Sequence, residues 1–225
     1  NSFQIEKNNE LDLYFEHIQN LVNPQKINAK IKFGVDGGNG VIGSIFNELT
    51  KIYNFNSEEL YMDVDGNFPN HPADPSNKEN LQEIIKLVQG NNLDFGVAFD
   101  GDADRAVFID DVGKVVSGSM MTTLIADYLS EKNDNLKVVY NVNVSPHALS
   151  ILESKGVSLF RCKVGHSNIK AMMKELEADF GGEHSAHFYY KDNYFADSAI
   201  LTLLMLMSIV SERDEKVSSM IDKYN

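Results

Sequence analysis

Apolar and polar positions follow two different rhythms along this chain. Leu11, Tyr14, Phe15 and Ile18 recur at helical spacing, which gathers them on one face. Ile31, Phe33 and Val35 alternate with their neighbours at the period of a strand, and that strand ends at Asp36-Gly37-Gly38. The pattern predicts a helix from Ser44 to Tyr53 and a second strand from Glu59 to Met62. Asp63 to Ser76 is rich in Asp, Asn, Pro and Gly and reads as one long loop. Ser76-Asn77-Lys78-Glu79 has the capping-box pattern, after which Leu81, Ile84, Ile85 and Val88 form a helix face. Two apolar runs then flank a short acidic segment: Phe95 to Phe99 before it and Ala106 to Ile109 after it. Both runs read as strands, so Asp100-Gly101-Asp102-Ala103-Asp104-Arg105 is the tight loop between them.

A second set of elements opens near Ser117. Met121, Leu124, Ile125 and Tyr128 mark a helix, and Lys137 to Tyr140 a strand. Ser145-Pro146 pairs an N-cap residue with Pro at the first helical position. Leu159 to Lys163 reads as a strand, Ser167 to Leu176 as a helix, Ala178 to Phe180 as a short strand, and a long apolar helix starts near Ser198. Alternation of this kind predicts an α/β fold in two tandem domains, 1–116 and 117–225, with the boundary falling around residues 113–119. The halves share a plan without sharing a residue-level repeat.

Composition narrows the function. Of 225 residues, 43% are hydrophobic and 24% charged, as in ordinary globular proteins. A formal net charge of −13 argues against nucleic acid and against anionic membrane as partners. It also suits an anionic substrate poorly unless basic groups are concentrated locally or supplied from elsewhere. The single cysteine, Cys162, excludes an internal disulfide and fits a reducing, cytoplasmic setting; its strand-like surroundings make it a core residue rather than a nucleophile. Ala199 to Val210 is the most apolar stretch and is too short to span a bilayer. No secretory signal opens the chain, and the missing initiator Met reads as a processed or excised segment.

Three carboxylates at alternate positions in one tight loop repel one another. A cation relieves that repulsion, and hard cations prefer oxygen ligands, so Asp100, Asp102 and Asp104 are candidate ligands of a divalent metal, with Arg105 a fixed positive charge suited to phosphate. A solvated acidic hairpin is the plain alternative. An EF-hand is excluded: its sixth position would be Arg105 instead of Gly, and the flanks are strands.

Three further loops carry candidate chemistry. Gly38-Asn39-Gly40-Val41-Ile42-Gly43 fits G-x-G-x-x-G between a predicted strand and helix, with Asp63 placed as the acidic partner would be. A nucleotide-binding turn and a turn that needs glycine for close packing both explain it, although Asp36 sets a negative charge beside the would-be phosphate. Gly181-Gly182-Glu183-His184-Ser185-Ala186-His187 concentrates carboxylate, hydroxyl and imidazole, an inventory suited to a polyhydroxylated ligand such as a sugar. A Ser185–His187 catalytic pair lacks a nucleophile elbow, a zinc site from Glu183, His184 and His187 lacks helical spacing, and a solvated polar loop remains open. Lys163-Val164-Gly165-His166-Ser167 with Lys170 puts basic groups at a helix start, where an anion could sit or where they could simply be solvated.

Taken together and in this order, the loops resemble the α-D-phosphohexomutase family, the phosphomannomutase/phosphoglucomutase group. The matching segments are Val35 to Gly40, Asp65 to Pro75 continuing to Glu79-Asn80-Leu81, Asp100 to Arg105, Lys163 to His166, Gly182 to His187, and Tyr190-Lys191-Asp192 to Ala196-Asp197-Ser198. The resemblance covers nearly the whole chain. It implies two mixed-sheet α/β domains equivalent to the family's second and third. It implies Mg²⁺ on Asp100, Asp102 and Asp104, catalytic roles for Arg105, His166 and His187, and a sugar loop of Glu183, His184, Ser185, Ala186 and His187. The implied reaction interconverts hexose 6-phosphate and hexose 1-phosphate, of mannose or glucose, with a hexose 1,6-bisphosphate as intermediate and activator. It also implies that the Asp36–Gly40 turn binds no dinucleotide, leaving a stand-alone nucleotide- or sugar-phosphate-binding module and a phosphoglucosamine mutase as the alternatives. The family's first domain carries a phosphorylated serine in a T/S-A-S-H-N-P-type loop and its fourth an R-x-S-G-T-type phosphate grip. Neither motif is present here, so domains 1 and 4 are expected as partners from a longer parent chain. Two departures stand out: Ala186 replaces a frequent Gly, and Asn143 replaces a frequent basic residue.

Overall fold

A computed structural model describes residues 10–141 and 144–225. Asn143, with its departure from the basic residue of many relatives, lies outside the described residues. The chain forms α1 (Glu10–Leu21), β1 (Lys32–Asp36), α2 (Gly43–Tyr53), β2 (Asn56–Leu60), α3 (Gln82–Asn91), β3 (Phe95–Phe99), β4 (Ala106–Asp110) and β5 (Val115–Val116). It continues through α4 (Gly118–Ser130), β6 (Lys137–Tyr140), α5 (Pro146–Ser154), β7 (Ser158–Arg161), α6 (His166–Leu176), β8 (Phe180–Gly182), β9 (Phe188–Tyr190), β10 (Ala196–Asp197), α7 (Ala199–Arg213) and α8 (Val217–Asp222).

The strands make two five-stranded mixed sheets, in the orders β2-β1-β3-β4-β5 and β10-β9-β8-β6-β7. In each, the first strand lies between two parallel neighbours and the last two strands return antiparallel. The two sheets therefore share one topology, a repeat that the residues do not display. A single apolar core runs through both, joining Phe33, Phe108 and Val116 of the first sheet to Leu124, Phe180, Phe188 and Leu203 of the second half. Helix α7 explains this continuity. It packs on β4 of the first sheet and on α4 of the second unit, and it is apolar nearly all round because it is covered on both sides.

Three strand boundaries differ from the pattern. The second strand starts at Asn56, not Glu59, because parallel pairing fixes Lys32 opposite Asn56 and Asp36 opposite Leu60; Tyr61, with φ 54°, then turns the chain out of the sheet. Its sequence, NSEEL, is that of a half-exposed edge strand and carries no apolar run. Pairing with β6 likewise holds β7 at Ser158–Arg161 in place of Leu159–Lys163. Strand β8 is Phe180-Gly181-Gly182, not Ala178–Phe180. A Cβ on Gly182 would lie 2.1 Å from Thr122 Oγ1 of α4, so these glycines belong to a closely covered strand and not to the loop beyond it. The capping box is also displaced by one residue. Asn77, not Ser76, caps the 3₁₀ turn ahead of α3, accepting from the Glu79 N–H, while Ser76 donates its hydroxyl to Asp74. Ser117 and Ser145 do cap α4 and α5, accepting from Met120 and Ala148.

Candidate active site

The β3–β4 hairpin delivers the acidic loop to the strand ends of the first sheet that meet the Glu183–His187 loop. Asp100 is buried at 3% exposure, Asp102 is exposed and Asp104 is intermediate, yet an oxygen of each lies within 4.8 Å of the others. Ala103 makes the turn at φ 58°, a left-handed conformation that folds the three side chains together. Arg105 anchors the base of the loop. Its Nε donates to Asp100 Oδ2 at 2.6 Å, its N–H donates to Asp100 Oδ1 at 3.1 Å, and its Nη1 reaches Asp74 Oδ1 at 3.4 Å. Burial, followed by the repulsion of Asp100 and Asp102, pushes the Asp104 carboxyl up to about 7. Repulsion among the three carboxylates comes second to burial in that rise, and a divalent cation would relieve it.

The Glu183–His187 loop faces this hairpin across the domain junction. Arg105 and His187 form an isolated antiparallel bridge, and the Ala106 N–H donates to the Ala186 carbonyl at 3.4 Å. Ala186 has φ 68°, which accounts for the frequent Gly at this position: the left-handed turn is strained for any side chain, and a methyl is the smallest one. His184 and Ser185 are exposed, and His184 Nδ1 lies 3.3 Å from Ser119 Oγ. His187 Nε2 is 3.5 Å from Asp104 Oδ1, and its Nδ1 is 3.0 Å from Ser185 Oγ. Burial holds the His187 imidazole below the ordinary histidine range, against the upward pull of Glu183 and Asp197. The ring is therefore neutral near pH 7.

Glu183 occupies a different place from its loop mates. It is 2% exposed. Its Oε1 accepts from Asn141 Nδ2 at 3.3 Å and from the Gly165 N–H at 3.0 Å, and its Oε2 accepts from the Tyr189 hydroxyl at 2.8 Å. Asn141 in turn accepts from the His184 N–H at 3.0 Å. Glu183 thus ties the loop to the Lys163–His166 turn from beneath. His166 itself is exposed at the start of α6 and makes no hydrogen bond or ion pair among the described residues.

The structure joins Asp100, Asp102, Asp104, Arg105, Ser185 and His187 in one cluster, with Glu183 below it and His166 beyond Gly165. Sequence reasoning missed Asp74, Asn141, Tyr189 and Asp197 as members. Each lies in a segment whose own pattern has a structural explanation, so no local signal separates them. The zinc set suggested by the sequence does not assemble, because Glu183 is buried and His184 turns to Ser119.

The glycine-rich turn at residues 38–43 has five of its six backbone donors spent. The N–H of Gly38 donates to Asp36 Oδ1, and those of Asn39, Gly40, Val41 and Gly43 donate to backbone carbonyls. A Cβ on Gly43 would lie 1.7 Å from the Met62 carbonyl oxygen, so this glycine serves close packing. Gly43→Ala is expected to destabilise the chain by about 3 kcal/mol, measurable by urea unfolding. The unaltered chain is expected to show no NAD binding by calorimetry.

Comparison with known proteins agrees with the two-sheet α/β fold. The model of phosphoglucomutase/phosphomannomutase alpha/beta/alpha domain II matches residues 12–113, and that of domain III matches residues 117–225. The chain belongs to the phosphoglucomutase/phosphomannomutase family. A phosphomannomutase/phosphoglucomutase of Pseudomonas putida is 32% identical over 218 residues, covering 96% of this chain and 46% of that protein. The crystal structure of a phosphoglucomutase/phosphomannomutase family protein from Burkholderia thailandensis superposes with a TM-score of 0.90 at 31% identity, covering 98% of this chain and 48% of the other. A more distant fold match, with TM-score 0.73 and 17% identity over 94% of this chain and 53% of the other, is Aspergillus fumigatus N-acetylphosphoglucosamine mutase in complex with GlcNAc-6P and magnesium. The chain spans about half the length of the curated relatives it matches. No helix among the described residues is long and apolar enough to cross a membrane.

Proposed function

We propose that this chain supplies the metal loop and the sugar loop of an enzyme that interconverts hexose 6-phosphate and hexose 1-phosphate through a bisphosphorylated sugar. The substrates are phosphates of mannose, glucose or both. The observation that carries this reading is the convergence of the Asp100–Asp104 hairpin with the Ser185–His187 loop across one domain junction. The donor set fits Mg²⁺: three carboxylates on one loop with oxygens within 4.8 Å of one another. When bound there, Mg²⁺ supplies positive charge next to a transferring phosphoryl group. A hexose 1,6-bisphosphate then serves as intermediate and activator.

The protein groups divide the remaining work. Arg105, fixed by Asp100 and Asp74, holds a guanidinium beside the acidic loop and limits the negative field a phosphate meets. His184 and Ser185 present an imidazole and a hydroxyl to sugar hydroxyls. Ala186 shapes the turn that aims them. Glu183 sets the height of that turn through its three internal donors, and offers an oxygen to the sugar when one of them yields. Neutral His187, with Nδ1 beside Ser185, can accept a proton at Nε2 or hold the reacting end of the substrate, and His166 stands on the adjoining turn to receive the distal phosphate. The serine that carries the phosphoryl group and the main phosphate grip are assigned to domains 1 and 4 of the parent chain, which accounts for an anionic substrate on a chain of formal net charge −13. The setting is the cytoplasm.

Assay of the full-length parent on mannose, glucose and glucosamine phosphates tests this. Turnover of the first two is expected; turnover of glucosamine phosphate alone would reassign the substrate, and turnover of none would reject the reading. The 225-residue chain by itself is expected to bind Mg²⁺ and to show no mutase activity, even with bisphosphate added.

A further inference from the structure

Beside the acidic loop lies a second group of ligating side chains with different chemistry. Asp104 comes from the β3–β4 hairpin, His187 from the sugar loop and Asp197 from β10 at the entrance to α7. Each offers one ligand atom, and the three atoms lie within 4.8 Å of one another. His187 Nε2 is 3.5 Å from Asp104 Oδ1, a separation typical of two donors on one ion. The opposite ring nitrogen is held 3.0 Å from Ser185 Oγ. A metal-binding imidazole is characteristically fixed in this way, one nitrogen tied to a polar neighbour and the other turned to the ion. Asp197 is steadied by Lys170, whose Nζ lies 2.8 Å from Oδ1. Its Oδ2 makes no hydrogen bond or ion pair among the described residues. Asp102, Asp104 and Asp197 also line one open cleft of about 470 Å³, which gives an ion and its waters a way in.

We propose that Asp104, His187 and Asp197 form a second metal site, selective for borderline transition ions such as Zn²⁺ or Co²⁺. The acidic triad offers only carboxylate oxygens, which suit Mg²⁺. An imidazole with two carboxylates and an open fourth position suits Zn²⁺ and Co²⁺ instead. Asp104 belongs to both sets, and its two oxygens let it face each. The ordinary rival is an ion pair between His187 and Asp104 with no ion between them. It accounts for Asp197 by its ion pair with Lys170 and predicts no transition-metal site. In the enzyme proposed above, an ion here would occupy His187 Nε2 and make Zn²⁺ inhibitory. That consequence rests on the functional reading; the binding site does not.

The test is titration of the 225-residue chain with Zn²⁺ by calorimetry in saturating Mg²⁺, and with Co²⁺ by visible absorption. One equivalent is expected to bind with Mg²⁺ present, and Co²⁺ is expected to give the intense visible bands of a low-coordinate site. His187→Ala and Asp197→Asn are each expected to weaken Zn²⁺ by at least about tenfold. Asp102→Ala is expected to weaken Mg²⁺ and leave Zn²⁺ in place. Unchanged Zn²⁺ affinity in either the His187 or the Asp197 variant overturns the site. So does displacement of Zn²⁺ by Mg²⁺ together with its loss in Asp102→Ala, since the ion would then be occupying the acidic loop. If His187→Ala melts early, His187→Gln, which fills the same space, carries the same expectation.

Discussion

Asp102→Ala in the full-length enzyme should cut turnover by about 10³-fold while leaving the melting temperature unchanged. The magnitude is that of removing one preorganised electrostatic group from a site where charge develops in the transition state. The selectivity of the effect follows from position. Asp102 is the exposed member of the acidic triad and makes no hydrogen bond or ion pair among the described residues, so its removal disturbs only what the triad holds. Asp100 would be the wrong choice. It is buried at 3% exposure and accepts both from the Arg105 side chain and from the Arg105 backbone, so its loss would mix metal binding with collapse of the loop. The decisive measurements are kcat with saturating Mg²⁺, Mg²⁺ affinity by calorimetry and a thermal melt. Full turnover in Asp102→Ala would remove the metal role from this loop.

The largest single loss of stability is expected from Asp127→Ala, at about 3–5 kcal/mol. Asp127 lies on α4 with its side chain only 6% exposed. Lys155, Arg213 and Tyr224 converge on it from the end of α5, from α7 and from beyond α8. Arg213 donates at 2.8 Å and the Tyr224 hydroxyl at 2.9 Å, while Arg213 also reaches Glu131 at 2.6 Å. Removing the carboxylate leaves two cations and a hydroxyl facing one another in a covered site. A loss of this size lowers the melting temperature of a chain this long by roughly 10 °C. Burial alone would raise the Asp127 carboxyl, but the hydrogen bonds from Lys155, Tyr224 and Arg213 outweigh it and hold it below the ordinary carboxylate range. A depressed carboxylate stabilises the fold above its unfolded value, near pH 4, and that contribution fades as pH falls through the folded value. The stability gap between the natural chain and Asp127→Asn should therefore be widest near neutrality and narrow below about pH 4. A gap that stays constant across that range would show the network to be worth only its packing.

The local elements were legible in the residues because each is governed by short-range rules. Ser117 and Ser145 announce helix starts through a hydroxyl that can reach an N–H three residues on, and they do so in the fold. The acidic hairpin is readable because two apolar runs and a tight polar loop admit few other structures. Edge strands were harder. The NSEEL sequence of β2 is placed by pairing with β1, a partner about two dozen residues away, and the pattern of β2 itself gives no strand signal. The glycine-rich turn shows the same limit. Six residues cannot reveal whether their N–H groups are free for a phosphate, and here Asp36 and backbone carbonyls had already taken those of Gly38, Asn39, Gly40, Val41 and Gly43.

The sequence by itself determined the inventory: three carboxylates on one loop, hydroxyl and imidazole on another, and the α/β alternation that puts each loop at the end of a strand. Those features depend on neighbours along the chain. Only the tertiary structure decided which groups meet. Asp104 is far in sequence from His187 and Asp197, which the β9–β10 pairing already holds near each other, and it joins them because α7 welds the two sheets into a single core and holds their loop ends together. Glu183 looks like an open ligand in its own loop, yet Tyr189, Asn141 and Gly165 bury it as the support of that loop. Partnership and burial are properties of surfaces that packing creates, and no spacing along the chain encodes them.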